Sequence, residues 1–347
     1  MHIAILHNSD HDLLDEDPGR EAREDVLRVA AALANALNDG RVSAEPLPIR
    51  GAGLEFMAML ERRRPDLVIN LCESLAADSR GEMAVPCLLE LMRLPYTGSS
   101  PLALGLALHK NKAKELLRGC GVRTPEFAVV ERAEGLARVD LPFPLIVKPS
   151  REDASVGLDF DSVVNDRPAL ERAVVRVLET FRQPALVERF IPGRELYVPL
   201  LGNRPQALAL TEMRFGSFFD GRPNIVSYRA KWETASVEFQ DTTTAACTLD
   251  VETQERVIRT AVAAFEALEC RDYGRVDVRL SPEGEPFVID INPNCDLHPT
   301  AGFAKAAAHA GLDYPALARR LVEIALERTH GNPSNLRAGA GAPRRAA

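Results

Sequence analysis

The chain has 347 residues, 46% of them hydrophobic and 5% aromatic, with a formal net charge of −8. That length allows two or three domains with substantial cores, and sparse aromatics suit an α/β enzyme better than a β-sandwich. The acidic balance argues against a nucleic-acid surface, and no stretch reads as a secretion signal or membrane span. The six cysteines, at 72, 87, 120, 247, 270 and 295, form no CxxC pair. They read as reduced thiols of a cytoplasmic protein, with neither a zinc ribbon nor a disulfide framework.

HIAILHN reads as a buried strand, and REAREDVLRVAAALANAL carries apolar residues at helical spacing. SAEPLPI, the helical LEFMAMLERR and DLVINLCE continue a strand–helix alternation, which predicts a parallel sheet covered by helices. GEMAVPCLLELMRL is a further helix, and the loop PYTGSS closes an N-terminal α/β lobe spanning 1–107. No GxGxxG follows the first strand, so a Rossmann dinucleotide site has no support.

LHKNKAKELLRGCG reads as the next helix, FAVV and PFPLIVKP as strands, and KPSREDASVG as a polar loop. The helix RPALERAVVRVLETF and the strand ALVERF complete a small α+β lobe assigned to 108–186. A larger antiparallel lobe, 187–330, then carries the helix TQERVIRTAVAAFEAL and two strands, GRVDVRL and PFVIDIN. The tail 331–347, GNPSNLRAGAGAPRRAA from Gly331, is small, polar and expected to be disordered.

Those last two strands carry the chemistry. With Glu283 and Gly284 as the central turn residues, Asp277 falls opposite Asp290 and Arg275 opposite Asn292, all four on one face. Val276, Val278, Ile289 and Ile291 then face a core. Two carboxylates across a ladder repel each other. A hard divalent cation rewards the arrangement, because Mg²⁺ takes oxygen ligands and commonly shares one or two carboxylates with nucleotide phosphates. The alternative is a solvated polar face on an edge hairpin.

LPYTGSSPLALGLALHK, PLIVKPSREDASVG, LVERFIPGREL, YRAKW, YGRVDVRL and VIDINPN occur in one order from about Leu94 onward. In that order they resemble the D-alanine–D-alanine ligase branch of the ATP-grasp superfamily. The resemblance implies three lobes, with ATP gripped between the central and C-terminal ones. It implies a ligase that phosphorylates a carboxylate, lets an amine attack the acyl phosphate, and releases ADP and phosphate. Asp277, Asp290 and Asn292 would be ligands of two Mg²⁺ or Mn²⁺ ions. Many relatives carry glutamate where Asp290 stands, which alters the geometry expected at the second ion.

The resemblance also places Lys110 and Lys148 at the nucleotide phosphates, with Ser155 in a loop covering them. Glu188 and Glu195 fall at adenine and ribose positions, and Arg189 and Ile191 line the same pocket. Lys231 would reach the terminal phosphate, and Arg275 would stabilise charge developing on the acyl phosphate. Four of these have a plainer alternative: a solvated helix residue for Lys110, surface charge for Glu188 and Glu195, and a salt bridge to Asp277 for Arg275. A homodimer through the N-terminal lobe is also implied.

Departures from the family fall on the substrate side. The stretch after the first strand, HNSDHDLLDEDPGREAREDV, is long and acidic; Glu24 is the candidate there for holding an amino group. Ala154 stands where relatives have serine, Trp232 where they have tyrosine or phenylalanine, and NCDLHPTAGF follows the metal strand. His298 reads as an ordinary loop residue and Cys295 as a small filler. Each lost hydroxyl weakens recognition by about 1–3 kcal/mol, so several changes together imply a different substrate. The sequence therefore predicts a carboxylate–amine ligase acting on amino acids or peptides. A true D-alanine–D-alanine ligase and a nucleotide-binding regulator without activity remain the alternatives.

Overall fold

The computed structural model describes residues 1–9, 20–50, 54–76 and 78–330. Glu24 lies where no side chain is described, and the tail from residue 331 lies outside the described residues.

The N-terminal lobe forms around β1 (His2–Asn8), followed by α1 (Arg20–Leu37), β2 (Ser43–Ile49), α2 (Leu54–Arg63) and β3 (Leu67–Asn70). The strands pair in parallel in the order β2-β1-β3, as the strand–helix alternation predicts. Both faces of β1 are buried. Ala4 and Leu6 pack toward α2, while Ile3 and Ile5 pack toward α1. That two-sided burial explains the continuous apolar run in place of an alternation. The helix α3 (Ala84–Leu91) is shorter than its apolar stretch suggests.

A second helix, α4 (Pro101–Leu108), follows the expected loop PYTGSS and occupies residues to which the sequence reading gave no element of their own before the helix expected from Leu108. Ser100 caps it, accepting from the Ala103 amide at 3.2 Å, with a proline in its first turn. Its residues PLALGLAL are apolar all round, so no helical period betrays them. The following α5 (Lys110–Gly119) buries Ala113 and Leu117 in the core of the large C-terminal sheet.

The central sheet consists of β4 (Phe127–Val130), β5 (Leu145–Pro149), β6 (Val163–Val164) and β7 (Ala185–Arg189), in the antiparallel order β4-β7-β5-β6. The helix α6 (Arg167–Phe181) covers it, capped by Asp166 on the Ala169 amide at 2.8 Å. The division expected after residue 186 falls inside β7, whose ladder partners are both in this sheet.

The large sheet contains β8 (Arg194–Leu201), β9 (Gln206–Ala207), β10 (Thr211–Phe215), β11 (Thr242–Ala246), β12 (Tyr273–Leu280) and β13 (Pro286–Asn292). Its order is β11-β10-β8-β12-β13, with β9 on β8. Two short helices, α7 (Tyr228–Trp232) and α8 (Val237–Gln240), precede β11, and α9 (Val251–Ala267) packs on β12 and β13. The strands alternate: Leu196, Val198, Val276 and Val278 enter the core, while Glu195, Tyr197, Arg275 and Asp277 face a cleft toward the central sheet. Finally α10 (Gly302–His309) and α11 (Tyr314–His330) return to the N-terminal lobe. There Phe303, Leu317 and Leu321 share a core with Ile3 and Leu33.

Candidate active site

The hairpin of β12 and β13 sets the geometry. Asp277 pairs with Asp290 and Arg275 with Asn292, as the sequence predicts, but by a different route. The turn is not centred on Glu283 and Gly284. It is a three-residue loop closed by the Ser281 amide on the Glu285 carbonyl at 2.9 Å, with Gly284 at φ +78°. This pairs Val278 with Val288, and a bulge between there and Asp277 restores the expected register. Ile289 is the extra residue. It lines the cleft, and Val288 takes the core position assigned to it by sequence.

The cleft between the central and large sheets encloses about 690 Å³. All twelve sequence-predicted site residues line it: Lys110, Lys148, Ser155, Glu188, Arg189, Ile191, Glu195, Lys231, Arg275, Asp277, Asp290 and Asn292. A smaller cavity of about 180 Å³ shares Lys231, Trp232, Arg275, Asn292 and Asp296 with it, and continues toward the N-terminal lobe.

Each anion here has a cation. Asp277 is held by Arg275, with Nε to Oδ1 at 2.6 Å and Nη2 to Oδ2 at 2.9 Å. The salt bridge expected as the plain alternative for Arg275 is therefore present, and its guanidinium also lies 4.4 Å from the Tyr197 ring centre. Burial opposes charge on Arg275, but the Asp277 carboxylate outweighs it and holds the guanidinium firmly protonated. Asn292 also donates to Asp277, from Nδ2 to Oδ2 at 3.2 Å.

Asp290 accepts two hydrogen bonds from Lys110, at 3.0 and 2.8 Å, and Lys110 also donates to Asp153 at 2.7 Å. Lys110 is only 5% exposed, so it is not the solvated helix residue of the plain alternative. Desolvation works against its charge, and the two carboxylates more than compensate. Lys148 lies 2.9 Å from Glu188, which is 2% exposed. Burial raises the Glu188 pKa, but Lys114 and Lys148 together bring it below the ordinary value. Glu195 binds Arg279 at 2.9 Å and accepts from Tyr197 at 3.2 Å. Lys231 keeps solvent contact at the cleft, where desolvation and then the charge of Arg275 lower its pKa.

The loop 150–157 bends through Ala154 and Ser155, both at positive φ. Trp232 donates from Nε1 to the Ala154 carbonyl at 3.0 Å, tying the loop to α7. His298 turns to Thr300 at 2.8 Å, while Cys295 is buried and its thiol is pushed up to about 12. Both fit the unremarkable roles assigned to them by sequence.

Sequence reasoning missed Lys114, Tyr197, Arg279 and Asp153. Lys114 stands four residues after Lys110 on the same helix, and Tyr197 and Arg279 continue the alternation of Glu195 and of Arg275 and Asp277. Those periods were the available signal. Among the described residues no group of three or more His, Cys, Asp or Glu gathers to hold a metal. Two carboxylates and an amide facing one cleft nevertheless fit Mg²⁺, which completes its shell with phosphate oxygens and water.

Comparison with known proteins matches residues 116–323 to a family described as D-ala D-ala ligase C-terminus. An uncharacterized protein, y4sG of Sinorhizobium fredii, is 38% identical over 78% of this chain and 77% of its own. The D-alanine–D-alanine ligase of Chromohalobacter salexigens is 32% identical over 88% of this chain and 91% of its own. Among solved structures, the D-alanine–D-alanine ligase of Bacillus anthracis complexed with ATP superposes with a TM-score of 0.73. It is 20% identical, covering 96% of this chain and 100% of that one. The VanG D-Ala:D-Ser ligase of Enterococcus faecalis gives 0.71 at 18% identity, covering 93% and 99%.

Proposed function

Because this chain belongs to the D-alanine–D-alanine ligase family, we propose that its cleft binds ATP and joins an amino-acid carboxylate to an amine. It is an ATP-grasp ligase that forms a carbon–nitrogen bond. The observation that carries the site assignment is the meeting of Lys110, Lys148, Lys231 and Arg275 with Asp277, Asp290 and Asn292 around one cavity.

A carboxylate is a poor electrophile until its oxygen becomes a phosphate leaving group. Lys110 and Lys148 supply fixed positive charge for the nucleotide phosphates, and Lys231 does so for the phosphoryl group in transfer. Asp277, Asp290 and the Asn292 amide would hold Mg²⁺, which supplies charge neutralisation between the phosphates when bound. Arg275, already fixed by Asp277, orients the substrate carboxylate and stabilises the oxyanion formed when the amine attacks. Glu188 and Glu195 face the base and sugar of the nucleotide.

The smaller cavity is the place for the substrates. Glu73, Glu82 and Asp296 line it, and burial holds the Glu82 pKa well above the ordinary carboxylate value. Glu73 and Asp296 give this lining the negative charge that favours substrates carrying an ammonium group, as amino acids do, while Glu82, more readily protonated, adds less of it. D-alanine itself is the second reading, favoured by the identity to the Chromohalobacter salexigens ligase.

Among the described residues no helix is long and apolar enough to cross a membrane. All six cysteines are unpaired, which supports a cytoplasmic setting where thiols stay reduced. A homodimer belongs to the same proposal; Leu91 and Leu102, 77% and 54% exposed, offer it apolar surface beside the N-terminal lobe. A monomer mass by light scattering would remove the dimer.

Hydroxylamine trapping tests the reaction. With MgATP, pooled amino acids and hydroxylamine, the chain should give a hydroxamate, because hydroxylamine intercepts the acyl phosphate. ATP binding without hydroxamate or phosphate release from any amino acid or peptide would point to the regulator instead.

A further inference from the structure

Lys114 lies one helical turn beyond Lys110 on the inward face of α5, and its side chain is 3% exposed. Its Nζ stands 2.7 Å from Glu188 Oε1, a close ion pair. It also donates to Thr124 Oγ1 at 2.8 Å, and that hydroxyl donates to the Val288 carbonyl at 2.8 Å. Glu188 therefore carries a cation on each oxygen, Lys114 on Oε1 and Lys148 on Oε2. The two lysines are not equivalent. Lys148 lines the large cleft, whereas Lys114 borders a small crevice behind it with Lys110 and Ala113.

We propose that Lys114 is a positioning residue that keeps the buried Glu188 carboxylate compensated, freeing Lys148 to leave it for the phosphates of an incoming nucleotide. This rests on the phosphate role proposed for Lys148. A carboxylate 2% exposed does not readily lose its sole counterion, because an uncompensated buried charge is strongly unfavourable. With one lysine, Glu188 and the phosphates would compete for it. With two, Glu188 retains Lys114 and releases Lys148. Lys114 cannot exchange places, since Thr124 tethers it toward β13. Desolvation and the neighbouring Lys148 lower the Lys114 pKa to about 8 against the pull of Glu188, which leaves it mostly charged at neutral pH.

The test is the ATP dissociation constant of the full chain, measured by calorimetry with Mg²⁺ and independent of any ligase assay. Lys114→Met should weaken ATP binding about tenfold or more, and Lys114→Arg should restore most of it. In a Glu188→Gln background the same Lys114→Met change should cost less than about twofold, because no charge remains to compensate. An equal loss in both backgrounds, or no loss in Lys114→Met, overturns the proposal. Should Lys114→Met fail to fold, Thr124→Val carries the test. It loosens Lys114, so it should weaken ATP binding in the parent and not in the Glu188→Gln background; equal effects in the two overturn the proposal. Lys148→Met separates the two claims: unchanged affinity there removes the phosphate role of Lys148 and this proposal with it. A loss in Lys148→Met with none in Lys114→Met overturns only the role of Lys114.

Discussion

Asp277 and Asp290 face each other across the β12–β13 ladder, yet each is bound to a different cation, Asp277 to Arg275 and Asp290 to Lys110. The like-charge repulsion of the pair is thus offset from both sides. A metal bound where we propose would meet carboxylates already fixed in place.

Asp290→Asn and Asp277→Asn should each lower kcat/KM and raise the Mg²⁺ concentration needed for half-maximal activity. Losing one charged contact costs roughly 1.5–3 kcal/mol, or about 10- to 150-fold. Asp277→Asn should show the larger fall in kcat, because it releases Arg275, whereas the Lys110 freed by Asp290→Asn still donates to Asp153. A Mg²⁺ titration of turnover checks both; unchanged metal dependence would contradict the assignment.

Trp232 is the single tryptophan of the chain, and it joins α7 to the loop 150–157 through its Nε1 hydrogen bond. ATP binding should therefore change its fluorescence. Trp232→Phe removes a neutral hydrogen bond worth about 1 kcal/mol and should raise the KM for ATP roughly fivefold. The measurement is KM against kcat; a fall in kcat alone would place Trp232 elsewhere in the reaction.

Gly274 lies on β12 against Phe265 and the Asn292 carbonyl, which an added Cβ would approach to 2.7 and 2.9 Å. Gly274→Ala should force β13 outward at Asn292, costing roughly 1–3 kcal/mol of stability. Thermal denaturation reads the cost, and a weakened response to Mg²⁺ reads the displacement of Asn292. An unchanged midpoint would show that the neighbours give way freely.

Cys295 and Cys120 should differ sharply toward thiol reagents. Cys120 is exposed, whereas burial pushes the Cys295 thiol up to about 12. At pH 8 an alkylating reagent should modify Cys120 and spare Cys295, and Cys295→Ala should keep activity. The folded pKa of Cys295 lies above the ordinary value of about 8.5. Its contribution to stability is thus complete below that value and is lost as pH rises toward 12. Rapid inactivation by alkylation of Cys295 would contradict this.

The hairpin was legible because alternation fixes which side chains share a face, and Arg275, Asp277 and Asn292 needed nothing more. The route to that register was not: sequence does not reveal that a longer turn and a bulge at Ile289 offset each other. The helix α4 was hidden by its all-apolar face, and the lobe boundary by β7 belonging to the sheet before it. Lys114 was passed over because a lysine four residues after another looks like solvated helix surface. Only the approach of β7 turns that face inward and sets Glu188 between two lysines.

The most direct test of the central claim is mass spectrometry of a reaction with MgATP and pooled D- and L-amino acids, with phosphate release followed in parallel. The account predicts a new mass equal to two substrates minus water, with one phosphate per product, and neither in Asp277→Ala. Tight ATP binding with no product and no phosphate from amino acids, peptides or larger amines would contradict it.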